Sequence, residues 1–261
     1  LVRLLAPTDI GLIGLTGGYL GILTLLMIAP ENIFLRDFIR IKDQLNEHIS
    51  SFVLFGAVRG MVIFLLSLPI AMFILHEYSS LPGAFYFLLV AFATGMNALA
   101  SPFREAFYAS FRQARIAMVD LSINLFSLIA LVWVFYSHEL VAYGWIQVIS
   151  SLLLVGAWYW TARTKINFRF IHGKEWLSRS IQSLKDFTFW NHLIGFSSRL
   201  LYQLDIVILS FFTSLAVLGD YTVALTISNV FFIVPQIIQK LSTLSFSQVE
   251  KTSDAVGLGY T

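Results

Sequence analysis

Arg199, Tyr202 and Asp205 stand three residues apart inside the apolar stretch 189–212, which is long enough to cross a bilayer as a helix. On such a helix each is turned about 60° from the last, so all three share one arc of about 120°. A charge at mid-membrane costs ~2.5–3.5 kcal/mol on insertion scales, and neither Arg199 nor Asp205 easily reaches an interface. Six residues apart, the two do not pair with each other. Each needs a partner on another helix or water in a cavity, so the trio reads as a polar cavity wall or as part of a static interhelical salt bridge.

Two further groups invite the same question. Asp120, Asn124 and Ser127 follow one another at i, i+4 and i+7 and form a polar stripe that should face protein or water, as a substrate contact or as a structural hydrogen-bond cluster. Arg59 lies about two turns into the stretch 53–75, where it either snorkels to the nearer interface or faces a cavity. Asp220 reads differently. It opens the last apolar stretch, where a carboxylate caps a helix N-terminus without any functional role.

Catalysis finds little support. There is no Walker A loop, GxSxG, HExxH or paired acidic motif. The chain has no Cys, which removes disulfides, thiolate metal sites and a Cys nucleophile. His48, His76, His138, His172 and His192 are scattered singly, without ligand spacing. No enzyme activity, metal or cofactor is therefore expected.

The elements that must position these residues follow from composition and charge pattern. Hydrophobic residues make up 57% of the chain and charged ones 12%, about half the share in soluble domains. Seven charge-poor stretches, 10–30, 53–75, 81–101, 116–137, 140–162, 189–212 and 218–239, approach the ~20 residues needed to cross ~30 Å of hydrocarbon. The loops 1–9, 76–80, 138–139 and 213–217 hold one basic residue, Arg3. The alternate loops hold fourteen: Arg36, Arg40, Lys42, Arg104, Arg112, Arg115, Arg163, Lys165, Arg169, Lys174, Arg179, Lys185, Lys240 and Lys251. Short loops rich in Lys and Arg stay in the cytoplasm, which places residue 1 outside and residue 261 inside. The expectation is an all-α polytopic membrane protein. Its net charge of +2 reflects topology and not a nucleic-acid footprint.

Finer features refine the plan. Gly11, Gly14, Gly18 and Gly21 fall on one helix face with Gly17 beside them, a spacing that lets another helix approach closely in lipid. Residues 33–52 and 176–188 read as amphipathic segments lying in the cytoplasmic interface. Pro82 and Pro102 bracket the third span, and Pro235 should kink the last one. The alternation in residues 165–171 hints at a short extended piece. The basic connector 163–188 divides the chain into residues 1–162 and 189–261.

Three segments carry a family resemblance. RLLAPTDIGLIGLTGGYLGI resembles the junction between the first two helices of polysaccharide flippases, with Ala6 in place of the usual Gly and Ile10 in place of an aromatic. In Leu201–Leu225, Asp205, Gly219, Tyr221 and Ala224 match the family's embedded Asp and its G-x-Y-x-x-A run, and SPFREAFYASFRQARIAMVDL resembles its basic loop before the fifth helix. An internal comparison aligns Ile10-Gly11-Leu12-Ile13 with Leu218-Gly219-Asp220-Tyr221, as expected of two same-direction lobes.

The resemblance implies helices two to eight of a two-lobed, 12–14-helix MATE-like bundle of the multidrug/oligosaccharidyl-lipid/polysaccharide exporters. Residues 1–162 would form a first lobe lacking its first helix, and 189–261 the start of the second. It further implies a bacterial cytoplasmic-membrane flippase for a polyprenyl-pyrophosphate-linked oligosaccharide, working with a polysaccharide polymerase and glycosyltransferases. In such a cavity Arg59 and Arg199 are expected to supply positive charge, Asp205 and Asp120 to act as polar or proton/ion-coupling groups, and Tyr202 and Asn124 to add substrate contacts. A drug or organic-cation antiporter of the same fold is the first rival. A non-transporting membrane scaffold or biosynthetic enzyme is the second.

Overall fold

The computed structural model describes residues 5–25, 45–110, 112–137, 139–163 and 187–231, with isolated positions beyond. Among these residues the chain is helical: α1 (Pro7–Leu25), α2 (Leu45–Tyr78), α3 (Leu81–Ala109), α4 (Gln113–Ser137), α5 (Leu140–Arg163), α6 (Phe187–Ser210) and α7 (Leu215–Phe231). Each sits on one of the seven apolar stretches. Helices α1 to α5 are long and apolar enough to cross a membrane, and α7 is a shorter apolar helix. Helix α6, with Asn191, His192, Arg199, Gln203 and Asp205 along it, is not among those five.

Short turns join α2 to α3 and α6 to α7. Between α2 and α3, Ser79 takes a left-handed φ of 49°. The Ser80 hydroxyl then accepts from the Gly83 N–H at 3.1 Å, with Pro82 in the first turn of α3. A capped, proline-primed start of this kind fixes where α3 begins.

Helix α3 is the centre of the bundle, packed against α2 on one side and α5 on the other. Small residues set the α2–α3 distance: a methyl on Gly60 would lie 2.6 Å from the Gly95 carbonyl oxygen, and one on Gly56 would lie 2.4 Å from that of Ala98. On the other side Gly144 of α5 fits beneath Tyr86 and Leu89, and the Tyr86 and Tyr143 rings stack at 6.1 Å. Helix α4 is peripheral. It buries Ile116 and Val134 and exposes Met118, Leu121, Leu128 and Tyr136, which suits a helix bathed in lipid.

Several expectations change. The 34 residues of α2 reach about 51 Å at 1.5 Å per residue, well beyond the hydrocarbon thickness. Residues 45–52 therefore continue the spanning helix and do not lie flat in the interface. Ile49 and Phe52 are buried with Phe103, Phe107, Ile116, Trp158 and Ala162, in a second core where α2 and α4 begin and α3 and α5 end. Pro102 does not close the third span, because α3 runs through it to Ala109. Nor does Asp220 cap α7, which starts at Leu215. Ser214 occupies the cap position, its hydroxyl accepting from the Val217 N–H at 3.5 Å, and Asp220 is an exposed residue within the helix. Residues 33–44, the extended piece at 165–171 and the segment 176–186 lie outside the described residues, as do the positions next to Pro235.

Candidate functional site

The glycine face of α1 is where the last two helices dock. A methyl on Gly11 would meet the Leu215 carbonyl oxygen, one on Gly14 the Thr222 side chain, one on Gly18 Ile206 and Val207, and one on Gly21 Gln203. Gly17 has nothing within 4 Å, so it stands off the seam. The expected close packing is present, and its partners are α6 and α7. Gly219 returns the contact: a methyl there would lie 2.3 Å from the Pro7 carbonyl oxygen and 3.2 Å from the Gly11 nitrogen. Gly11 on Leu215 and Gly219 on Pro7 are the same contact seen from each junction, at the same sequence offset. Such reciprocity is the signature of an isologous contact about a two-fold axis.

Polar groups cluster beside this seam. Asp205 lies on α6, partly buried, and its Oδ2 accepts a hydrogen bond from the Tyr221 hydroxyl of α7. Its Oδ1 accepts from the Ile206 N–H at 2.7 Å. The partner that the sequence demanded for Asp205 is therefore a phenol on the next helix. Arg199 and Tyr202 share α6 with Asp205, and their side chains are outside the described residues. At the far end of α6, the Tyr78 hydroxyl donates to the Ser210 carbonyl at 3.1 Å, and Phe73 packs between Tyr19 and Phe211.

The other candidates lie elsewhere. Arg59 is 9% exposed. Its guanidinium donates to the Ser101 hydroxyl at 3.0 Å and to the Ala98 carbonyl at 3.4 Å, both on α3. Asp120 pairs with Arg104 at 2.8 Å, their side chains 25% and 45% exposed, and Arg104 also lies over the Tyr108 ring. An ion pair this open is worth no more than ~1 kcal/mol. Asp120→Asn is therefore expected to change stability by less than that, with the difference shrinking in high salt, as thermal unfolding in detergent would read.

Asn124 and Ser127 line an open pocket between α4 and α5 with Tyr143 and Gln147, and Ser127 bonds Ser150 at 2.8 Å. Asp120 thus faces α3 and Ser127 faces α5, while Asn124 between them is exposed at the edge of the pocket. The structure does not place Asp120, Asn124 and Arg59 around Asp205: they lie on α2 and α4, whereas α6 packs on α1.

Sequence reasoning missed Gln203, the Tyr143–Gln147–Ser150 face of α5 and the Tyr78–Ser210 link. For the α5 residues, polar side chains in an apolar stretch were the available signal. Tyr221 stood in the sequence only as part of a motif.

Among the described residues there are seven helices, five of them long and apolar enough to cross a membrane, which makes this a multi-pass membrane protein. The chain matches the family model described as "Polysaccharide biosynthesis protein" over residues 1–261, and it belongs to that family. No curated protein and no solved structure matches it.

Proposed function

We propose that this protein flips a polyprenyl-pyrophosphate-linked oligosaccharide from the cytoplasmic to the outer leaflet of a bacterial membrane. The observation that carries the reading is the set of polar groups held along α6 and α7 in a largely apolar bundle: Gln203 against the glycine face of α1, and Asp205 bonded to Tyr221 across the α6–α7 hairpin. Polar groups held inside a membrane mark ligand and ion pathways. The amphiphilic cargo needs such a lining for its headgroup while its polyprenyl tail stays in lipid.

In this reading residues 1–162 form one lobe, 163–188 connect, and 189–261 begin a second lobe of a MATE-like bundle. The reciprocal Gly11 and Gly219 contacts support an axis along the membrane normal between α1 and α7. Residue 1 lies outside and residue 261 in the cytoplasm, in keeping with the alternation of basic loops. Arg199 is the cation for the pyrophosphate, and Tyr202, three residues on along α6, is a second contact. Arg59, bonded to α3, adds positive potential and not a direct contact. Asp205 and Asp120 serve as polar or ion-coupling groups, and Asn124 offers an amide to the sugar. A polysaccharide polymerase and glycosyltransferases would act on either side of the flipping step.

The test uses cells whose surface polysaccharide depends on the full protein. Arg199→Ala and Asp205→Ala, present in the membrane at wild-type level, are expected to cut surface polysaccharide at least ~10-fold, the range for losing a charge-assisted contact. Lipid-linked oligosaccharide should accumulate on the cytoplasmic leaflet. Wild-type flux through both variants would overturn the assignment.

A further inference from the structure

We propose that Arg59 is the latch of a hinge in α3, supplying from α2 the hydrogen-bond donor that Pro102 withholds. A proline inside a helix lacks the N–H that would bond the carbonyl four residues earlier. For Pro102 that carbonyl belongs to Ala98. Helix α3 nonetheless runs from Leu81 through Pro102 to Ala109. The Ala98 carbonyl oxygen accepts two replacement donors, the Ser101 hydroxyl at 3.2 Å and the Arg59 guanidinium at 3.4 Å. Arg59 also donates to the Ser101 hydroxyl at 3.0 Å, so the three groups form one network. Freed carbonyls at membrane prolines are re-satisfied by neighbouring helices and by Ser or Thr side chains, and here both devices act on one oxygen.

The backbone of α2 is shaped for this reach. Gly56 approaches the same Ala98 oxygen, and Gly60 faces Gly95 one turn along. Side chains at those positions would push α2 outward and lift the guanidinium from its acceptor.

Beyond the hinge the residues Phe103, Ala106 and Phe107 enter the second core with Ile49, Phe52 and Trp158, and Arg104 binds Asp120 of α4. Bending at Pro102 would therefore disturb this shared core and the Arg104–Asp120 pair together. Arg59 holds the closed angle. The inference is independent of what the protein transports, and it explains a buried arginine without a ligand.

The test is a rescue on the full chain in detergent micelles, read by amide hydrogen exchange and thermal unfolding. Arg59→Met is expected to speed exchange at the Phe103–Ala106 amides about 10-fold and to lower Tm by several degrees. Pro102→Ala restores the missing N–H, so Arg59→Met/Pro102→Ala should return both readings close to wild type. Arg59→Lys, which keeps the charge and N–H donors on one nitrogen but not the guanidinium fork, should fall between. A loss at Arg59→Met that is equally large with Ala at 102, or no faster exchange at 103–106, would overturn the latch. Should Arg59→Met not fold, recovery of folded protein in the double variant supports the proposal, and failure to recover it overturns it.

Discussion

Gly11→Ala is expected to unseat α7 from α1, the largest stability loss of any single methyl along this seam. The added carbon would lie 2.0 Å from the Leu215 carbonyl oxygen, a main-chain atom that no rotamer change can move. Overpacking of this kind costs about 1–3 kcal/mol where some shift is possible, and a backbone neighbour puts it at the upper end. Since dispersion and close approach hold helices together in lipid, forcing the backbones apart also loosens the contacts at Gly14 and Gly18. Gly17→Ala supplies the opposite sign. Nothing lies within 4 Å of its added methyl, and alanine is favoured over glycine in a helix by about 0.8–1 kcal/mol. Thermal unfolding of the two variants in the same detergent should therefore move in opposite directions. Gly219→Ala, pressed against the Pro7 carbonyl, should resemble Gly11→Ala because the two contacts are reciprocal. Equal behaviour of Gly11→Ala and Gly17→Ala would show that the seam is not tight.

The second large effect concerns Asp205 and Tyr221. The carboxylate takes one hydrogen bond from its own helix and one from the Tyr221 hydroxyl across the α6–α7 hairpin. Tyr221→Phe removes the second and leaves a partly buried carboxylate short of a donor, at about 1.5–3 kcal/mol for a bond to a charged group. Asp205→Asn removes the charge that made the bond strong. Because both changes delete one interaction, the double variant should lose far less stability than the two single losses combined, with a coupling of about 1–3 kcal/mol. Additive losses would mean that the pair is not coupled. Transport separates structure from mechanism. If the protein flips its cargo as proposed and Asp205 serves that step, Asp205→Asn lowers flux even at temperatures where Tyr221→Phe and Asp205→Asn are both fully folded. Full flux in folded Asp205→Asn would reduce the pair to a helix clamp.

Much of the architecture was legible before any coordinates. The seven helices among the described residues fall on the seven apolar stretches, since the length and polarity of a span are properties of contiguous residues. The errors arose where local signals had two meanings. Pro102 reads as a terminator from sequence, but Arg59 and Ser101 satisfy the carbonyl it frees, and the helix continues. The amphipathic segment 33–52 reads as interfacial, yet Ile49 and Phe52 at its end are covered by α3, α4 and α5. Asp220 resembles a cap, and Ser214 takes that place six residues earlier. The candidate site was legible as a set of misplaced polar residues, but not as a grouping. Asp205, Asp120 and Arg59 look alike as buried charges, yet they take their partners from α7, α3 and α3 in turn.

The sequence by itself determined the class of protein, the run of its helices and the face of α1 built for close approach. These follow from hydrophobic length, charge alternation and 3.6-residue spacing, which act within a single segment. Only the tertiary structure decided that Gly11 meets Leu215, that Asp205 finds Tyr221 and that Arg59 answers Pro102. Each of those meetings depends on which helices lie side by side and at what register. Those are set by the packing of whole surfaces against one another, which no single stretch of sequence contains.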